Sequence, residues 1–108
     1  MAEFTLQQVF GAGATQTATV LTINKADLPG LTALVGNTAE SLLVGLVVIW
    51  LTNLTETARI TDEVNRQIAV TDAGTDITAG IANDFMRRSY AISLYSLFVV
   101  PTLDPDNY

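Results

Sequence analysis

Residues 37–54, NTAESLLVGLVVIWLTNL, carry the longest apolar run of the chain: ten consecutive apolar or glycine residues from position 42 to 51, polar at both ends. The run is too long for a typical strand, and its flanks favour a helix over residues 38–55, about 27 Å long. Asn37 is expected as the N-cap, with Glu40 completing a capping box and meeting the positive end of the helix dipole. At about 100° per residue, Leu42, Leu43, Leu46, Ile49 and Trp50 form one apolar surface, assigned here to the chain's own sheet. Val44, Val47, Val48 and Leu51 form most of the opposite one. A helix apolar all round must be covered all round or lie in lipid. Glu40, Asn53 and Glu56 bound the run below the length that a membrane span requires.

The rest of the pattern is shorter in period. Phe4, Leu6, Val9 and Phe10 are spaced for a short helix stopped by Gly11. Residues 1–16 therefore read as an N-terminal anchor followed by a small-residue link. TATVLTI at 17–23 is rich in β-branched residues and predicts a first strand. Asn24 caps one turn holding Lys25 and Asp27, and Pro29-Gly30 suits the centre of a type II turn. Residues 56–63 are polar, with Ala58 and Ile60 partly covered, and extend the helix by a turn or two. Residues 64–71 alternate, with Val64, Ile68 and Val70 on one face. Arg66 interrupts that face, so burial is expected to begin near Ile68. Asp72-Ala73-Gly74 signals a turn. Residues 75–86 fit either a short strand around Ile77 or a loose excursion. Residues 88–100 form the clearest strand, with Tyr90, Ile92, Leu94, Phe98 and Val100 on one face, ended by Pro101 and an acidic tail at 101–108. The sum is one α+β domain over residues 1–108: one long apolar helix packed on a small antiparallel sheet of about three strands.

Composition makes the covering of that helix a wider problem. Hydrophobic residues make up 49% of the 108-residue chain and charged residues only 15%. A folded monomer of this mass exposes about 5,800 Å², which so few charges cover poorly. Eleven acids against five bases leave a net charge of −6. That balance disfavours nucleic acid and anionic membrane surfaces, both of which require concentrated positive charge. The opening MAEFTLQQVF lacks the basic start and apolar core of a signal peptide, so the expected location is cytoplasmic and no membrane span is expected. The sequon Asn53-Leu54-Thr55 reads as a chance match near a helix end.

Candidate chemistry is thin. The chain has no histidine and no cysteine. Ser-His-Asp and Cys-His catalysis, disulfides and histidine-ligated metals are thus absent outright. GAGATQ at 11–16 lacks both the third glycine of a dinucleotide loop and the lysine of a phosphate loop. Asp62 and Glu63 read as solvated charges, as do Lys25 and Asp27. Asp72, Asp76 and Asp84 lack the spacing and closing Glu of an EF-hand and read as turn-forming acids. Arg87 and Arg88 are expected to pair with acids within one subunit or across an interface. No enzymatic activity, cofactor or metal is expected.

Two functional expectations follow. The first is a non-enzymatic structural or assembly subunit, such as a component of a bacteriophage-like particle. It forms a homo-oligomer through Val44, Val47, Val48 and Leu51. The alternative is a small-molecule binding or regulatory module with a pocket between helix and sheet near Trp50, Tyr90 and Tyr95.

Overall fold

In the computed structural model of the chain, residues 3–96 and 105–107 are described. The class is α+β, in the order α1 (Leu6–Phe10), β1 (Thr15–Gln16), β2 (Leu21–Thr22), α2 (Ala39–Asn53), α3 (Glu56–Ile60), β3 (Ile68–Ala79) and β4 (Asp84–Leu94). A 3-10 turn at Lys25–Asp27 precedes α2, and another lies at Pro105–Asn107.

Threonine starts each helix. Thr5 caps α1 in a T-x-x-Q capping box: its hydroxyl accepts from the Gln8 N–H at 3.1 Å, and the Gln8 side chain accepts from the Thr5 N–H at 2.8 Å. Thr38 caps α2 by accepting from the Ser41 N–H at 3.1 Å, and Thr55 caps α3 by accepting from Ala58. The cap of α2 is thus Thr38 and not Asn37. The Asn37 side chain instead accepts from the Leu34 N–H and donates to the Thr32 carbonyl, closing the preceding loop. Residues 56–60 do not extend α2. The chain turns at Leu54, and Thr55 begins a separate helix.

The turns follow their residues. Gly11 ends α1 at φ 108°, a conformation that suits glycine. The Leu31 N–H donates to the Leu28 carbonyl across Pro29-Gly30, with Gly30 at φ 74°, as a type II turn requires. Asn24 caps the turn at Lys25–Asp27 by accepting from Ala26.

The sheet differs from the three-stranded expectation. Among the described residues the strands form two separate antiparallel pairs, β1 with β2 and β3 with β4. Residues 17–23 contribute only Leu21 and Thr22, paired to Gln16 and Thr15. High β-propensity makes no strand without a partner of matching length. The β3–β4 pair is a long hairpin running from Ile68 opposite Leu94 to Ala79 opposite Asp84. Residues 64–67 lie outside the strand, and Val64 is exposed. Arg66 reaches back to the Ala58 carbonyl at 2.6 Å and stacks its guanidinium 4.6 Å from the Phe4 ring. It thereby satisfies the frayed end of α3.

Asp72-Ala73-Gly74 is a β-bulge within β3 and not a turn. Asp72 pairs with Tyr90 and Gly74 with Ser89, leaving Ala73 as the extra residue. Gly74 sits at φ 110°, and the Asp72 carboxylate accepts from its N–H at 2.8 Å. The bulge has a consequence for the faces. Ile68 and Val70 occupy even positions and Ile77 an odd one, so a regular strand would put Ile77 on the opposite side. The extra residue returns Ile77 to the face of Ile68 and Val70, opposite Met86. One face of the hairpin then carries Ile68, Val70, Ile77, Met86, Tyr90, Ile92 and Leu94, interrupted by Asp72, Thr75 and Arg88 and ending at Ala79 and Asp84. The other carries mainly small and polar residues. Phe98 and Val100, expected to continue the β4 face, lie outside the described residues, as do Pro101 and the start of the tail.

The hairpin turns at residues 80–83, where the Gly80 N–H donates to the Asn83 carbonyl at 2.8 Å. A Cβ at position 80 would fall inside the van der Waals radii of both the Asn83 carbonyl and the Phe85 ring. Gly80→Ala is therefore expected to open the tip and destabilise the protein by about 1–3 kcal/mol, measurable by denaturant unfolding. An unchanged midpoint would show that the tip is not closed in this way.

The core is small and sits where α2 meets α1 and the base of β3. Ala14, Leu28, Ile49, Leu54, Ala69 and Val70 are its buried apolar residues. Leu28 packs on the bare backbone at Gly45, where an added Cβ would come within 3.0 Å of it. At the far end of α2, the Trp50 indole N–H donates to the Val9 carbonyl at 2.8 Å and the Asn53 side chain to the Gln8 carbonyl at 2.9 Å. These bonds satisfy carbonyls at the end of α1. The Leu54 carbonyl accepts from the Val70 N–H at 2.8 Å, joining the end of α2 to the hairpin. Beyond that junction the hairpin projects as an arm. The molecule measures 61 × 42 × 27 Å, with a radius of gyration of 18.9 Å, against about 13 Å for a compact chain of this length.

Candidate functional site

The sides of α2 are unequally covered. Gly45 and Ile49 are buried, and the direction they define also contains Leu42 and Asn53. On the opposite side Glu40, Leu43, Val44, Val47 and Leu51 fall within about 100° of one another. Val44 is 61% exposed and Leu43 is also exposed, while Val47, Val48 and Leu51 are half-buried. Leu43, expected to face the sheet, thus belongs with the uncovered stripe. Fifteen residues give α2 a length of about 22 Å, and no helix among the described residues is long and apolar enough to cross a membrane.

The second uncovered apolar surface is the arm. Ile77 is 77% exposed, Ile92 55% and Leu94 79%, with Met86 and Tyr90 exposed beside them. Phe85 is exposed on the other face. A two-stranded ribbon of this kind is marginal in water unless a further layer covers it. The whole chain exposes 8245 Å², roughly 2,400 Å² more than a compact monomer of its mass.

Charged groups are organised along the arm and at its base. Arg87 and Asp76 face each other across the hairpin and form a two-pronged ion pair, with Arg87 Nε to Asp76 Oδ1 at 2.9 Å. At the base, Glu56 holds Arg59 through Nε at 3.0 Å and Nη2 at 2.7 Å, and its second oxygen accepts from the Tyr95 hydroxyl at 2.9 Å. The Arg59 guanidinium lies 3.8 Å from the centre of the Tyr95 ring. This trio ties α3 to the segment that leaves β4.

The Arg59 bonds, then the Tyr95 hydroxyl, hold the Glu56 carboxyl below its ordinary range, and Glu56 in turn raises Arg59. A carboxylate with a depressed folded-state pKa contributes stability that is fully present above its unfolded-state value. That contribution is lost as pH falls through the folded-state value. Glu56→Gln should therefore lower the thermal midpoint slightly at neutral pH, and the difference from the parent should vanish in acid. A difference that persists unchanged into strong acid would contradict the ion-pair account.

The three aromatic residues named as a candidate pocket occupy separate settings. Trp50 is engaged with α1, Tyr95 with α3, and Tyr90 lies on the apolar face of the arm opposite Asp72. Two clefts lie among other described residues. One of about 380 Å³ runs between residues 29–31 and the first turns of α2. Another, of about 330 Å³, lies between α1, Asp27 and the end of α2.

The three candidate aspartates do not converge. Asp72 binds the bulge N–H, Asp76 pairs with Arg87 on the opposite face, and Asp84 sits near the tip opposite Ala79. Among the described residues no group of acids is arranged to hold a metal ion. The small-residue link at 11–16 is held by the chain's own acid, since the Gly13 N–H donates to the Asp27 carboxylate at 2.6 Å. Lys25 donates to the Leu34 carbonyl at 3.0 Å.

The return of Ile77 to the face of Ile68 and Val70 is what sequence reasoning missed. Its signal is the parity change between Val70 and Ile77 across a glycine preceded by Asp. Comparison of the chain with protein-family models, curated proteins and solved structures gives no match.

Proposed function

We propose that the chain is a non-enzymatic structural subunit that works as a homo-oligomer, in an assembly of the kind found in bacteriophage-like particles. The observation that carries this reading is the number of exposed large apolar side chains, among them Leu43 and Val44 on α2 and Ile77, Met86, Tyr90, Ile92 and Leu94 on one face of the arm. Exposed apolar surface of this extent marks a protein contact, and copies of the same chain are the simplest cover. A net charge of −6 keeps such an assembly soluble. The lack of histidine and cysteine, with Asp72 bound to the bulge N–H and Asp76 paired with Arg87, supports a non-enzymatic part. A small-molecule binding module is less well supported, because Trp50, Tyr90 and Tyr95 have separate surroundings.

The test is the dependence of thermal unfolding on protein concentration. A homo-oligomer that unfolds with dissociation has a midpoint that rises with concentration. A midpoint independent of concentration over two decades would count against the reading.

A further inference from the structure

We propose that the cleft between α1, Asp27 and the end of α2 binds a small primary alkylammonium ion, with the Asp27 carboxylate receiving its charge. The proposal adds a ligand site to the protein and does not depend on the assembly reading. Three observations lead to it.

The cleft has the make-up of a small-ligand site. Its volume is about 330 Å³, with Pro29 and Ile49 in its apolar lining and Gln7, Asp27, Thr52 and Asn53 in its polar lining. Ile49 is a core residue, 4% exposed, so the apolar part of the lining is fixed by packing.

The donors of that lining are spent, and its acceptors are not. Gln7 donates its amide to the Ala14 carbonyl at 3.0 Å, and Asn53 donates its own to the Gln8 carbonyl at 2.9 Å. The Thr52 hydroxyl donates to the Val48 carbonyl at 3.0 Å. A carbonyl only accepts, so each amide must turn its nitrogen towards it and leave its oxygen over. Neither amide oxygen has a hydrogen bond among the described residues. A ligand that fits must therefore bring the hydrogens.

The charge is fixed in place and lacks a counter-ion. Asp27 Oδ2 accepts from the Gly13 N–H at 2.6 Å, and Oδ1 has no partner among the described residues. Lys25, the chain's one lysine, donates instead to the Leu34 carbonyl at 3.0 Å. Two glycines admit the carboxylate. A Cβ at position 11 would lie 2.9 Å from the Asp27 Cβ, and one at position 13 would lie 2.7 Å from Asp27 Oδ2.

The class of ligand follows from these three. A primary ammonium supplies three N–H donors and one positive charge, and a short alkyl chain covers Pro29 and Ile49. An anion would meet Asp27 with no side-chain donor left to bind it. A hard metal cation requires six or more oxygens, and one carboxylate in a partly apolar cleft falls short of that. The net charge of −6 draws small cations towards the chain.

Saturation-transfer NMR with n-butylammonium chloride tests the site. It reads the millimolar affinity expected of so small a molecule, and it tolerates a large assembly. The butyl signals should receive saturation from the parent protein, and a titration should level off. Neither 1-butanol, which keeps the chain without the charge, nor tetramethylammonium, which keeps the charge without an N–H, should displace it. Asp27→Asn keeps an oxygen for the Gly13 N–H at nearly the same volume, and should weaken binding at least about tenfold. Should that variant fail to fold, the three-ligand comparison on the parent decides alone. No saturable binding to the parent, displacement by tetramethylammonium, or equal affinity in a folded Asp27→Asn would each overturn the proposal. None of these results bears on the mass in solution, so the assembly reading stands or falls separately.

Discussion

Val47→Glu is expected to break the assembly into separate chains or drive it to aggregate. Val47 lies near the middle of the α2 stripe, about 160° around the helix from the buried Ile49. In an isolated chain a half-buried valine at this position has water within reach, and a glutamate can turn outward, changing stability by only about 0.5 kcal/mol. Beneath a neighbouring copy the carboxylate would be taken from water without a partner, costing several kcal/mol or forcing its protonation. Sedimentation of the variant beside the parent reads the difference. The helical circular dichroism of the variant should stay close to that of the parent, because Val47 contributes little to the chain's own core. A variant with the parent's mass and stability would place Val47 outside any interface.

The largest effect within one chain is expected at Leu54. Its side chain is 1% exposed, and its carbonyl accepts the Val70 N–H that joins the end of α2 to the arm. Leu54→Ala removes three carbons from the one place where helix, α3 cap and hairpin meet. A loss of about 2–5 kcal/mol is expected, or at least about 8 °C in thermal midpoint. Leu54→Met, which nearly conserves volume, should cost less than about 1.5 kcal/mol. Equal small losses in both would mean that the junction is loosely packed and the arm is hinged there. In that case the arm could not present a fixed face to a neighbour.

What was legible in the sequence is what local chemistry decides. Gly11 stops α1, Asn24 caps its turn, and Pro29-Gly30 makes a type II turn, because each acts over a few residues and depends on no distant partner. The start of α2 is a near miss. Asn37 and Thr38 are both competent caps, and the choice falls to Thr38 because the Asn37 side chain is used by Thr32 and Leu34 in the loop before it. The bulge is harder to read, since Asp-Ala-Gly is equally a turn and a bulge. What decides is the pairing of Ile77 with Met86, nine residues apart in sequence and invisible to local propensity. The span from 75 to 86 remained open for the same reason, because Gly80 and Asn83 close a loop only when both strands are already paired. Residues 17–23 show the converse error: β-branched composition predicted a strand, but only two residues there found a partner.

The candidate site was half visible. An apolar helix with no polar face in its middle points to a cover, and only packing distinguishes the chain's own cover from another molecule's. Leu43 falls on the uncovered side and not with Leu42 and Ile49, because helix periodicity alone does not say where the buried face is centred. Leu28 settles it by packing on Gly45, the position with no side chain to hold it away.

The central claim is that the bare stripe of α2 and the bare face of the arm are covered by other copies of this chain. Mass in solution, measured by light scattering on the purified protein without ligand, tests it most directly. The account predicts a defined multiple of 11.6 kDa, stable on dilution into the micromolar range. A mass of one chain at every concentration, with the arm's strands still folded, would contradict it.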